Sequence, residues 1–190
     1  MNDEPRIAEP PGGLPAELRF RVTLYPDPVL RRRALPVQAF DADLRDTVQA
    51  MFTRMYASKG VGLAAPQVGL PLRVVVLNAT GEPGDEITLV NPTILEKTGP
   101  ETLFEEGCLS FPGIYAEVKR PDRCTVRAWS AGGEEFERSF GGFTSRVIQH
   151  EYDHLEGVLL VDRMSAADKL RHKAALADLV DAYRRARVGR

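Results

Sequence analysis

The sequence predicts an α+β fold: mainly antiparallel β-sheet packed around one central helix, with a further helix at the C-terminus. Three observations lead to that reading. Short runs of alternating or β-branched apolar residues are separated by Gly- and Pro-rich turns, the pattern of antiparallel strands. Helical periodicity is confined to a few separate stretches. The regular strand–helix–strand alternation of a parallel sheet is missing.

The elements follow in order. Residues 1–18 carry Pro5, Pro10, Pro11 and Pro15 among several acids. They lack the apolar core of a secretory signal, and their acids do not suit a transit peptide. They read as a flexible Pro/Gly-rich leader on a cytoplasmic protein, followed by a single domain over residues 19–190. Residues 20–24 alternate and predict a short strand, which Pro26 and Pro28 stop. Residues 43–58 predict a helix, because Leu44, Val48, Met51, Phe52 and Met55 form one apolar stripe. Asp41 or Asp43 can cap its start.

Residues 60–69 are dominated by Gly60, Gly62, Ala64, Ala65, Pro66 and Gly69. Two readings stay open for them. One is a helix cap and a tight turn. The other is a loop against which a substrate backbone can lie, since glycine permits close approach of another chain. Gln67 would then be an amide donor held in a cleft.

Residues 72–78 are β-branched and apolar and predict a buried strand. A turn at residues 81–84 leads to two short strands, 87–90 and 93–96, around Asn91 and Pro92. Strands are predicted again at residues 115–119, 123–129 and 134–140, the last two joined by a Gly-containing turn. After Gly141 and Gly142 comes a helix that Thr144 or Ser145 can cap, with Gly157 placed as a terminator. Residues 158–161 predict a short strand. Ser165 then caps a long final helix with Leu176, Leu179, Val180 and Tyr183 on one face.

Composition narrows the classes. A chain of 190 residues with 43% hydrophobic content is long enough for one domain with a full core. A net charge of −2 argues against nucleic-acid binding by the surface as a whole, and no DNA partner is expected. Two cysteines make no disulfide framework. No apolar run approaches the roughly 20 residues that span a bilayer, so no membrane role is expected.

Chemistry concentrates in the second predicted helix. His150 and His154 are two of the three histidines and stand four residues apart, with Glu151 after the first. Residues at that spacing share a helix face about 5–6 Å apart. Two imidazoles there can converge on one metal ion, with the glutamate beside whatever water the metal binds. A catalytic site of this kind needs a third protein ligand. One known extension of the motif places a histidine where this chain has Leu160. His172 lies in a polar stretch and reads as solvated, and Asp178 has no motif around it. Cys108, between Gly107 and Leu109, is the better candidate, because a thiolate is a strong ligand and His₂Cys is an accepted catalytic set. Cys124 reads as a small core residue.

Three segments then resemble the signature motifs of the peptide deformylase family, in that family's order. They are Gly60-Val61-Gly62-Leu63-Ala64-Ala65-Pro66-Gln67, Glu106-Gly107-Cys108-Leu109-Ser110 and Gln149-His150-Glu151-Tyr152-Asp153-His154-Leu155. The resemblance covers roughly residues 20–162 and leaves out the leader. It implies a metal held by Cys108, His150 and His154, Fe²⁺ physiologically, with Zn²⁺ or Ni²⁺ able to use the same ligands. It implies Glu151 as general acid and base, and Gln67 with the Leu109 N–H as oxyanion donors. It implies a methionine pocket lined by Val61, Phe143 and Val147, and a peptide held as an added strand by the backbones at Val61, Gly62 and Gly107. The implied substrate is the N-formylmethionyl end of newly made chains, and the implied products are formate and a free amine. Two other classes share some of these residues. An endopeptidase would use the histidine pair without Cys108. A ribosome- or RNA-binding module would use Arg184, Arg185 and Arg187, although basic residues at a helix end also complement the helix dipole.

Overall fold

The computed structural model describes residues 19–188. One five-stranded antiparallel sheet runs in chain order through β1 (Gly62–Ala64), β2 (Val74–Leu77), β3 (Ile87–Cys108), β4 (Phe111–Trp129) and β5 (Glu135–Gly141). The helices are α1 (Ala42–Ala57), α2 (Gly142–Leu155), α3 (Leu160–Arg163), α4 (Ala166–Arg171) and α5 (Lys173–Val188). Two short 3₁₀ turns cover Pro28–Arg31 and Ala65–Val68. The α+β class and the dominant antiparallel sheet are as the sequence predicts. The predicted leader, residues 1–18, lies outside the described residues.

Strand β2 shows how the sheet is placed. Its residues alternate in direction, as strand side chains must. Val74 and Val76 join α1's Leu44, Val48, Met51 and Met55 in one core cluster. Val75 and Leu77 join α2's Val147, Ile148 and Leu155 in another. All four are buried, so the strand needs apolar residues on both faces, and this explains its unbroken Val-Val-Val-Leu run. Helix α2 is covered almost all round, with residues from Ser145 to Leu155 buried except Tyr152. It is the central helix of the fold. A third cluster joins Phe111, Ile114, Ala116 and Val118 of β4 to Leu159, Leu160 and Met164, with Leu176 and Leu179 of α5 against it.

Several predicted elements are corrected. Residues 20–24 pair with no strand. They form a strap tied by single bonds, Thr23 N–H to Gln67 O at 2.7 Å and Tyr25 N–H to Ser110 O at 3.0 Å. The two short strands around Asn91 and Pro92 are one long strand, β3. The ladder absorbs Pro92 in an irregularity between Val90 and Thr93. Asn91 takes φ +50° there, and its amide clamps both backbone groups of Val37 at 2.7 and 2.9 Å. The α2 helix starts earlier than predicted, with Gly141 as N-cap. Thr144 and Ser145 lie inside it, and the Ser145 hydroxyl accepts from Gln149 Nε2 at 3.1 Å. Residues 160–163 are helical rather than extended, because Asp162 accepts the Leu159 N–H at 2.8 Å and nucleates a turn. The final helix breaks at His172, whose Nε2 is fixed on the Tyr115 carbonyl at 2.8 Å rather than solvated. The caps at Asp41 and Ser165 form as expected, and Gly157 terminates α2 with φ +72°.

Candidate active site

Three elements supply the site. The first is α2. Positions four apart bring the rings of His150 and His154 to a centroid separation of 5.3 Å, and Glu151 follows on the same buried surface. The second is the end of β3. Its alternation turns Glu106 and Cys108 to one side and Gly107 to the other, where the Tyr115 ring fills the space. A Cβ on Gly107 would lie 2.7 Å from that ring. The third is β1 with the following 3₁₀ turn, which carries Gly62 and Gln67.

Cys108, His150 and His154 offer ligand atoms that all lie within 4.8 Å of one another. Cys108 Sγ and His154 Nε2 lie 3.2 Å apart. A soft sulfur and two imidazole nitrogens at this range suit a divalent transition metal. Two further observations fit a cation there. His150 is held well above its ordinary pKa. Burial alone would push it down, but contact with Cys108 and Glu106 outweighs burial. The pocket therefore draws positive charge toward the sulfur. His154 goes the other way, lowered by burial and then by His150.

Glu106 fixes the tautomer of His150. His150 Nδ1 lies 3.0 Å from Glu106 Oε2. A carboxylate can only accept, so Nδ1 carries a proton, and in the neutral ring that a metal requires the lone pair is left on Nε2. Burial would raise Glu106, but His150 and Arg120 hold it at about 2. Arg120 donates to both carboxylate oxygens at 2.8 and 2.9 Å, and Arg146 adds a bond at 2.8 Å.

Glu151 is buried, and one of its oxygens, Oε2, has no hydrogen-bond partner among the described residues. Burial pushes its carboxyl up to about 7, against the opposing pull of His150. Gln67 is 1% exposed. Its Oε1 accepts the Ala64 N–H at 2.8 Å, which turns its NH₂ toward Cys108 Sγ at 3.6 Å and Ser110 Oγ at 3.4 Å.

These groups line a cavity of about 520 Å³. Val61, Gly62, Gln67, Gly107, Cys108, Leu109, Phe143, Val147, His150 and Glu151 all face it. Among the sequence-predicted residues, His154 is the exception. It is fully buried and reaches the others through its nitrogen beside Cys108. His172 and Asp178 are not part of the cluster. Cys124 is a core residue.

Sequence reasoning missed the charged support. Glu106 was visible inside the Cys108 segment, but its partners Arg120 and Arg146 lie 14 and 40 residues away. Nothing in one sequence pairs them. The signal in the sequence is Arg146 itself, four residues before His150 and so on the same face of the helix. Phe104 was also missed. It packs at a tilt against Phe143, ring centroids 5.8 Å apart, and lines the same cavity.

Comparison with known proteins gives a consistent result. A family model described as polypeptide deformylase matches residues 20–170. A chloroplastic/mitochondrial peptide deformylase 1B from Arabidopsis thaliana is 49% identical over 151 residues, which is 78% of this chain and 55% of that protein. A peptide deformylase from Thermotoga maritima is 44% identical over 167 residues, covering 87% of this chain and 99% of its own. The crystal structure of a Plasmodium falciparum peptide deformylase superposes with a TM-score of 0.84 at 40% identity, covering 86% of this chain and 97% of that one. The chain belongs to the polypeptide deformylase family.

Proposed function

We propose that Cys108, His150 and His154 hold one divalent metal ion, and that this hydrolase there removes the formyl group from the N-terminal formylmethionine of newly synthesised proteins. Deformylation is the activity of its family. The observation that carries the assignment to this site is the convergence of Cys108 on two histidines more than forty residues away in sequence. It also disfavours the endopeptidase reading, which has no use for the thiolate. Fe²⁺ is the proposed physiological ion, with Zn²⁺ or Ni²⁺ accepted by the same donors.

When bound, such an ion polarises a carbonyl and lowers the pKa of a water molecule. The residues of the chain do the rest. Glu151 takes the proton of the attacking water on its unpartnered oxygen and passes it to the departing nitrogen. A carboxyl raised to about 7 can both hold and release a proton near neutrality. Gln67, with its Oε1 already tied to Ala64, presents N–H to the developing oxyanion, and the Leu109 N–H is the second donor. One such donor is worth about 10²–10³ in rate. Val61, Phe143 and Val147 form the methionine pocket. The β3 edge at Gly107 and the backbone at Val61 and Gly62 hold the peptide as an added strand.

A single catalytic domain over residues 19–190 is proposed, acting in the cytoplasm. No helix among the described residues is long and apolar enough to cross a membrane. A transient ribosome contact through the exposed Arg184, Arg185 and Arg187 of α5 belongs to the same reading. Co-sedimentation unaltered by deleting residues after Arg184 would remove it.

The decisive experiment measures formate released from formyl-Met peptides by protein prepared without oxygen, together with its metal content. Formate at one metal per chain is expected, and none from fully loaded protein overturns the assignment. Glu151→Gln is expected to keep the metal and lose about 10²–10⁴ in kcat, the usual worth of a general base. A rate like the wild type's would remove Glu151 from its role.

A further inference from the structure

We propose that Arg163, on the short helix α3, is a positioning residue for the metal ligand His150, acting through Asp153, Arg120 and Glu106. The inference rests on the metal-site reading given above and extends it to a residue that does not line the cavity.

The four side chains form an unbroken line of ionic hydrogen bonds. Arg163 grips Asp153 with two donors, Nε to Oδ2 at 3.0 Å and Nη2 to Oδ1 at 2.5 Å. Asp153 Oδ2 also accepts from Arg120 Nη1 at 2.9 Å. Arg120 spends its other two donors on Glu106, and Glu106 takes His150 Nδ1–H at 3.0 Å. Exposure falls steeply along the line. The Arg163 side chain is 41% exposed, Asp153 10%, and Arg120 and Glu106 5% or less.

The geometry makes Arg120 a contested donor. Two buried carboxylates face one buried guanidinium. The guanidinium's two edges, Nε with Nη2 and Nη1 with Nη2, share Nη2, so a full fork to one carboxylate weakens the fork to the other. It gives the fork to Glu106 and a single bond to Asp153, because Arg163 already satisfies Asp153. Without Arg163, Asp153 is left as a buried anion with one donor, a costly state. The nearest remedy is for Arg120 to rotate its fork toward Asp153. Glu106 then loses part of its grip from Arg120, pivots on the single bond that Arg146 keeps to Oε1, and the His150 ring turns with it. Groups that orient a ligand from outside the coordination shell commonly govern 10- to 100-fold in metal affinity. Arg163 stands further out, so the lower end, about 10-fold, is expected.

The test uses the full chain loaded with Zn²⁺ and reads two quantities, the Zn²⁺ dissociation constant by chelator competition and the NMR resonance of the His150 Nδ1–H. Arg163→Ala is expected to weaken Zn²⁺ about 10-fold and move the resonance. Arg163→Lys, which restores charge but not the fork, is expected to fall between. Asp153→Asn removes the competitor for Arg120, so adding Arg163→Ala to it should change neither quantity further. Wild-type affinity in Arg163→Ala beside a lowered melting temperature would overturn the proposal, since a purely structural anchor behaves that way. A full Arg163→Ala effect persisting in the Asp153→Asn background would overturn it too. If Arg163→Ala does not fold, an unmoved resonance in Arg163→Lys overturns it. Wild type that binds no Zn²⁺ would reject the metal site itself, a failure distinct from these.

Discussion

At the scale of the residue, Gly62 shows how little room the site leaves. A Cβ built there would lie 2.6 Å from Glu151 Oε1 and 2.7 Å from Val147 Cγ1. Neither neighbour can retreat easily, because both stand on the buried face of α2. Glycine at this position in β1 is therefore a demand of the carboxylate and the valine opposite. Gly62→Ala is expected to push Glu151 off its position while leaving Cys108 and the histidines in place. A displacement of about 1 Å at a reacting group can cost about 10²-fold. The variant should therefore keep its metal and lose roughly that factor in kcat/KM. Unchanged kinetics would mean that Glu151 has more freedom than the packing indicates.

At the scale of the element, α3 is held at its start by one carboxylate with two tasks. Asp162 caps the turn through the Leu159 N–H, and it pairs with Arg31 from the first 3₁₀ turn. Burial would raise its carboxyl, but Arg31 and the Leu159 N–H outweigh burial and hold it below the ordinary 3.8. The sign follows from that direction. The carboxylate's contribution to stability is complete above about pH 3.8 and is lost as pH falls through the lower folded value. Asp162→Asn keeps an oxygen for the Leu159 N–H but loses the half-exposed ion pair with Arg31, so it should lower the melting temperature at pH 7 by the worth of that pair, about 0.2–1 kcal/mol. The gap to wild type should close as both are titrated toward pH 3. A gap independent of pH would assign the effect to shape rather than charge. This helix also marks where the sequence ceased to be legible. Residues 158–161 are apolar and β-branched, and propensity alone makes them a strand, but the cap from Asp162 overrides it. The same holds for β3, where Pro92 suggests a break and Asn91's clamp on Val37 carries the strand through. By contrast α1 was legible, because its stripe repeats over four turns and its Asp41 cap is local. The residues of the proposed site were legible because each motif is contiguous. The Arg120, Arg146 and Asp153 support was not, because its partners meet only through the register of β3 on β4 and the docking of α2.

At the scale of the molecule, the sheet and its helices close around α2, the element that carries the most buried titratable groups. His150, Glu151, Asp153 and His154 all lie on it and all are buried. Each must be paired, neutralised or bound to a cation for the core to tolerate it. Asp153 and His150 have partners from the chain, whereas His154 Nδ1 and Glu151 Oε2 have none among the described residues. The proposed ion would then act on folding as well as on chemistry, since its three donors are brought together only when β3 and α2 have docked. A ligand present at a thousand times its dissociation constant stabilises the folded state by about 4 kcal/mol. In a chain of this size each kcal/mol moves the melting temperature by about 2–4 °C. Stripping the metal with a chelator should therefore lower it by roughly 8–16 °C, by the same two relations. Cys108→Ala should melt close to the stripped wild type and respond little to chelator, because it lacks the donor that joins the strand to the helix. A wild type that carries one metal per chain yet melts at the same temperature after stripping would show that the ion sits somewhere other than the Cys108, His150 and His154 cluster.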